Sequence, residues 1–220
     1  SVETLDFSND NKYLISSSSD KTVRIWKIDS KNYSRIIEVG SHRVQDAQFA
    51  PDSKSFATAG ADSSIIIWNA EDGSRLNSLR YHKGKVNALS YHQVQPVLLS
   101  AGSDRRWVLW DLKSGETMQS RQVHTSQILA ASISPEGNKF ATAGGDFMVM
   151  LWKYPTGEPL AKLLGHKKPV TTLAFSPNGR LLASGGQDNQ IFIWSIKPEI
   201  SKIPLLNLEG HDFIVSQVMF

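Results

Sequence analysis

Ser184-Gly185-Gly186-Gln187-Asp188-Asn189-Gln190-Ile191-Phe192-Ile193-Trp194 decides the fold, because its landmarks return along the whole chain at one interval. Tryptophan stands at positions 26, 68, 110, 152 and 194, each 42 residues after the last. Six residues before each lies an aspartate: Asp20, Asp62, Asp104, Asp146 and Asp188. Four residues before each aspartate lies a hydroxyl: Ser16, Thr58, Ser100, Thr142 and Ser184. Three positions locked to one period mean one supersecondary unit written five times.

The unit reads as strands. In the third, Val86–Tyr91 alternates apolar and polar residues, while Pro96–Ser100 and Trp107–Trp110 are short apolar runs. A turn-rich Asp111–Glu116 follows, then a weaker fourth strand ending near His124. Short runs bounded by Gly, Ser, Asp and Pro are strands. Ser-Pro-Glu-Gly at 134–137 and Ser-Pro-Asn-Gly at 176–179 carry the residues a tight turn requires. No segment of adequate length has helical period, so the expected class is all-β, four antiparallel strands to each 42 residues.

Composition bounds the chemistry. At 220 residues and 40% apolar the chain can bury a substantial core. No apolar run approaches the roughly 18 residues a membrane helix needs, so membrane insertion is not expected. With no cysteine, disulfides and thiolate metal sites are excluded, which fits a reducing, intracellular setting, cytoplasmic or nuclear. The one glycosylation sequon, Asn32-Tyr33-Ser34, is of a kind common by chance. There is no Gly-Xaa-Ser-Xaa-Gly elbow, His-Glu-Xaa-Xaa-His or phosphate-binding loop. Four of the six histidines recur once per unit and so cannot converge on one metal. No enzymatic activity, cofactor, metal or small-molecule substrate is expected.

Gly165-His166, Leu173-Ala174-Phe175-Ser176-Pro177-Asn178-Gly179, Leu182-Ala183-Ser184-Gly185-Gly186-Gln187-Asp188 and Ile191-Phe192-Ile193-Trp194 together resemble the WD-repeat β-propeller family. Only Trp110-Asp111 keeps the literal signature pair; the other tryptophans are followed by Lys, Asn, Lys and Ser. The resemblance implies a hydrogen-bonded tetrad of His, Ser/Thr, Asp and Trp in each blade, complete at His82/Ser100/Asp104/Trp110, His124/Thr142/Asp146/Trp152 and His166/Ser184/Asp188/Trp194. Those residues are structural: the network satisfies polar groups that burial would otherwise penalise.

First strands end on Phe7, Phe49, Tyr91, Ile133 and Phe175, and the tetrad histidine belongs nine residues earlier. In the second unit that slot is Gly40, with His42 displaced by two, which predicts a defective tetrad. The loop Lys197–Pro204 carries three extra residues, so His211 follows His166 by 45 and its anchor is Phe220. The units run approximately 1–39, 40–81, 82–123, 124–165 and 166–210, with the start of the next at 211–220. Five full four-stranded repeats plus one strand of a sixth cannot close a ring, so the chain is expected to be part of a larger, seven-bladed propeller.

The resemblance also places two loop sets on one face: those entering the first strands and those between second and third strands. They carry Lys21, Arg43, Lys83, Lys85, Arg105, Arg106, Lys167 and Lys168, opposed clearly only by Asp212 once the tetrad aspartates are engaged. Such a mouth attracts acidic or phosphorylated protein segments. The basic loops lack aromatic interleaving, so an RNA-associated role is the weaker reading. The segment Leu99–Asp104 through Trp110-Asp111-Leu112-Lys113 is similar to the box by which some WD-repeat proteins dock on a cullin-RING ubiquitin ligase adaptor, with Lys113 where Arg is usual. The main expectation is a non-enzymatic protein-interaction scaffold in a multi-subunit assembly, such as a ciliary, nuclear, ribosomal or vesicle-coat complex; a ubiquitin-ligase substrate receptor and an RNA-associated factor are the alternatives.

Overall fold

The computed structural model describes residues 1–29, 33–39, 43–197 and 199–220. Among them there is no helix, and therefore none long and apolar enough to cross a membrane. The first sheet comprises β1 (Val2–Phe7), β2 (Tyr13–Ser18), β3 (Thr22–Lys27) and β4 (Tyr33–Glu38); the second β5 (Val44–Phe49), β6 (Ser55–Gly60), β7 (Ser64–Asn69) and β8 (Arg75–Arg80). The third has β9 (Val86–Tyr91), β10 (Val97–Gly102), β11 (Arg106–Asp111) and β12 (Thr117–Gln122). The fourth has β13 (Ile128–Ile133), β14 (Lys139–Gly144), β15 (Val149–Lys153) and β16 (Pro159–Leu163). The fifth has β17 (Val170–Phe175), β18 (Leu181–Gly186), β19 (Ile191–Ser195) and β20 (Leu206–Leu208). Each is an antiparallel meander, its strands paired in chain order. The expected all-β class and four strands per unit are what the structure has.

Burial follows from position in the meander. Second and third strands have neighbours on both sides and lie between sheets, so they are the most buried: β10 is buried along its whole length. The outer β12 is mostly exposed and carries Thr, Gln, Ser and Arg. Each core cluster lies between two consecutive sheets; Trp107, Phe140 and Trp152, for example, join the third to the fourth. Burying an Ile or Leu side chain contributes about 1.5–3 kcal/mol. Stacking sheet on sheet is therefore what stabilises units too small to fold alone.

Consecutive sheets share no strand ladder. Their first strands meet instead through side chains that accept hydrogen bonds from the next sheet's backbone. Thr4 Oγ1 accepts from the N–H of Ala47 at 3.1 Å and Asp46 Oδ2 from Leu89 at 2.8 Å. Two residues further along the strand, Asp6 Oδ2 accepts from Phe49 at 2.7 Å and Ser90 Oγ from Ile133 at 2.9 Å. A first strand has one unpaired edge, and these side chains satisfy its N–H groups.

One expectation needs correction. Residues 211–220 contain no strand. They run beside β17, where Val218 N–H donates to Thr172 Oγ1 at 3.1 Å, repeating the inter-sheet pattern. A first strand takes its ladder from the second strand of its own sheet, and none of the described residues supplies one here. The histidine slot of the second unit, Gly40 with His42, and Asn32 of the sequon lie outside the described residues.

Candidate functional site

In these meanders the start of each first strand, the loop before it and the turn between second and third strands share one end of the sheet. A repeated backbone bond ties them. The N–H groups of Ser19, Ala61, Ser103, Gly145 and Gln187 donate to the carbonyls of Ser1, Arg43, Lys85, Gln127 and Pro169, at 2.8–3.1 Å.

The tetrads add a second tie. His166 Nε2 lies 2.8 Å from Ser184 Oγ, which accepts from the indole N–H of Trp194 at 2.9 Å. Because that indole can only donate, the serine proton goes to Nε2, and Nδ1–H donates to Asp188 at 3.0 Å. The histidine is thus neutral, in keeping with burial, which pushes its imidazole below the ordinary range. Burial also pushes the Asp188 carboxyl up, but the Lys167 N–H and His166 outweigh it and hold the carboxyl below its usual range. The same arrangement recurs at His82/Ser100/Asp104/Trp110 and His124/Thr142/Asp146/Trp152. All three tetrads implied by the family resemblance are present. The first and second sheets keep the Trp26–Ser16 and Trp68–Thr58 bonds, each at 2.9 Å.

Tetrad aspartates also accept from the loop before the first strand: Asp104 from Lys83 N–H at 3.0 Å, Asp146 from Thr125 at 3.0 Å and Asp188 from Lys167 at 2.8 Å. In the third sheet this brings Lys83 and Lys85 against the turn that carries Arg105. Lys21, Lys83, Lys85, Arg105, Lys167 and Lys168 are all exposed and have no ion-pair partner among the described residues. Two of the eight basic residues behave otherwise. Arg43 is ion-paired with Glu3, an opposing charge that the sequence reading missed. Arg106 is half-buried and its Nη1 donates to Ser120 Oγ at 3.4 Å, so it leans toward β12 rather than standing free.

The same turns hold Lys21, Ser63, Arg105, Phe147 and Asn189 in the left-handed region, with φ of 65–73°. That conformation costs a residue other than Gly or Asn about 1–2 kcal/mol, so Arg and Phe are not there for the backbone's sake. Phe147 is 41% exposed. The expectation that these loops lack aromatics is thereby corrected: Tyr81 (44% exposed) stands beside His82, Phe213 (84%) follows Asp212, and Phe147 lies in the turns themselves. Its signal in the sequence was its place 42 residues after Arg105. Of the docking-box residues, Asp111 accepts from the N–H groups of Lys113 and Ser114 at 2.8 and 3.4 Å, closing its own turn. Among the described residues no group of three His, Asp or Glu side chains is placed to hold a metal.

Five meanders stacked on one another, three of them pinned by complete tetrads, define the class: a repeat protein built from propeller-type blades. The profile described as WD domain, G-beta repeat matches residues 1–27, 34–69, 73–111, 115–153 and 157–195, and the chain belongs to this WD40 family. WD40 domains are protein-interaction scaffolds and are generally without enzymatic activity. No curated protein matches the chain in a whole-sequence search.

Proposed function

We propose that this chain is a docking platform in a multi-subunit intracellular assembly, and that its basic end binds an acidic or phosphorylated segment of a partner protein. The observation that carries this is the third sheet's cluster, Lys83, Lys85 and Arg105, cross-braced by Asp104 and free of counter-ions among the described residues. Positive charge held at fixed positions attracts an anionic segment without first having to be ordered. The exposed rings nearby, Tyr81, Phe147 and Phe213, stand apart on different units rather than in a row of stacking platforms, so a protein segment fits better than single-stranded RNA.

We further propose that additional blades pack on the outer sheets to close a seven-bladed ring. Leu5 and Phe7 are 59% and 58% exposed, whereas their counterparts Ala47 and Phe49 in the second sheet are buried. On the fifth sheet Leu208 is exposed while its counterpart Leu163 is buried. The face of the first sheet is a blade-packing face open to solvent, whereas along the fifth residues 211–220 give partial cover, with Val215 buried.

The test uses a fluorescent peptide bearing two phosphoserines among glutamates, with its unphosphorylated, glutamine-substituted version as control. Lys83→Glu with Lys85→Glu and Arg105→Glu is expected to weaken binding at least tenfold and to flatten its salt dependence. The Tm should stay within about 2 °C, since all three side chains are exposed. Equal affinity of the variant and the parent would sink the reading. Preference for a single-stranded RNA oligomer over the phosphopeptide would favour the RNA alternative.

A further inference from the structure

The repeat supplies its own control, and the third unit departs from it first in the turn between its first and second strands. Four units build the turn between first and second strands alike. A polar residue (Asp10, Asp52, Glu136 or Asn178) precedes a left-handed one (Asn11, Ser53, Gly137 or Gly179) with φ of 58–70°. The third reads His92-Gln93-Val94-Gln95-Pro96, and none of these residues has positive φ. Val94 takes the polar place and leaves 86% of its surface in water.

This loop is locked from within and from the fourth sheet. His92 Nδ1 accepts from the N–H groups of Val94 and Gln95, both at 3.1 Å. Burial pushes the imidazole below its ordinary range and keeps that nitrogen an acceptor. Gly137 fits so closely that a Cβ there would lie 2.2 Å from His92 Nε2. The Tyr154 ring lies 5.0 Å from the imidazole, and its hydroxyl donates to Gln95 Oε1. The backbone that carries this exposed valine is therefore held in place, at the end of the molecule away from the basic loops.

Val94 borders a cleft of about 630 Å³ between the second and third sheets, whose wall includes Ile67, Leu76, Leu112, Tyr91 and Lys113. Leu76 is 56% exposed. Tyr91 is the second departure: its place is Phe7, Phe49, Ile133 and Phe175 in the other units. The Tyr91 hydroxyl is buried and has no hydrogen-bond partner among the described residues. A hydroxyl in that state costs about 1–3 kcal/mol, and Phe would fill the core equally well. Lys113 is exposed, with no ion-pair partner among the described residues. Asp52, also on the wall, uses one carboxylate oxygen to cap its turn through Lys54 N–H at 2.8 Å.

We propose that this cleft binds a linear peptide segment of a partner protein, taking one large apolar side chain against Val94 and Leu76 with an adjacent carboxylate paired to Lys113. The cleft's size suits one or two side chains with their backbone. An apolar anchor flanked by few polar contacts is the usual division of labour at such sites.

The test is an array of acetylated nonapeptides with Leu, Phe or Ser at the centre and Asp or Lys beside it, read by fluorescence anisotropy. Leu- and Phe-centred peptides flanked by Asp are expected to bind at least tenfold tighter than Ser-centred ones. Val94→Glu, and separately Leu76→Glu, should each remove that difference; both side chains are exposed, so folding is spared. Lys113→Glu should reverse the flank preference from Asp to Lys. Charge reversal at Lys83, Lys85 and Arg105 should leave this binding unchanged, which separates it from the basic end. Equal affinity for Leu- and Ser-centred peptides, or indifference to Val94→Glu, would overturn the proposal.

Discussion

Asp146→Ala is expected to destabilise the protein by about 1.5–3 kcal/mol, as removal of the charged acceptor from a buried hydrogen-bond network does. The carboxylate accepts from His124 Nδ1–H at 2.9 Å and from Thr125 N–H at 3.0 Å. Removing it orphans both donors, and the imidazole can no longer hold the tautomer that accepts the Thr142 hydroxyl proton at 2.8 Å. The loss therefore propagates to Trp152, whose indole N–H donates to the same hydroxyl at 2.9 Å. Asp146→Asn, which keeps an acceptor, should lose markedly less. Asp20→Ala gives the internal baseline, since among the described residues the exposed Asp20 meets only neighbours in its own sheet, Thr22, Ser18 and its ion-pair partner Arg24. Urea unfolding of the three variants decides the matter. A loss below about 1 kcal/mol for Asp146→Ala would mean the tetrad contributes little to stability.

Asp46→Asn should act in the other direction and make the protein less sensitive to pH. Burial pushes the Asp46 carboxyl up to about 7, against the pull of the Leu89 N–H and with a further push from Asp6, itself raised to about 6. Both folded values lie above the unfolded one, about 3.9. Between these limits the folded chain keeps protons that the unfolded chain has released. The stability these groups lend is full below about pH 4 and is lost as pH rises through about 7. Asparagine keeps an oxygen for Leu89 N–H without the charge. At pH 8 it should stabilise by on the order of 2–4 kcal/mol. His166 runs the other way: its folded pKa is depressed, so its contribution is lost as pH falls below about 6.5. Asp46→Asn should therefore flatten or reverse the decline from pH 5 to 8, as measured by urea midpoints. Parallel profiles for variant and parent would show that Asp46 does not titrate in this range.

What the sequence made readable was whatever recurs within a unit. Strand boundaries and tetrads follow from positions fixed relative to Trp and Asp, and the period displays them five times. Bonds between units were hidden because only the distance repeats: the acceptor is Thr4, Asp46 or Thr172 at one place and Asp6 or Ser90 at the next. No residue type marks the set. Arg43 pairs with Glu3 for the same reason, across a unit boundary. Residues 211–220 have the alternation of a strand, but alternation describes a side-chain pattern and cannot provide a neighbour to pair with. Val94 was passed over because a lone valine in a polar turn looks like ordinary variation until its exposure, and the locking of His92 beneath it, are seen together.

The way these sheets are joined also sets how the molecule comes apart. Each sheet has its complete ladder internally and is coupled to the next by side chains alone, so the array is a row of near-independent cooperative units, each stabilised by its immediate neighbours. Among the described residues, the second, third and fourth sheets have two neighbouring sheets and the first and fifth one, with 211–220 a thin cover on the latter. Amide exchange should then be fastest in the first sheet and slowest in the third, so that deuterium uptake reads out position in the row. A partner that caps either outer sheet would slow exchange across the sheet behind it, far from any atom it touches.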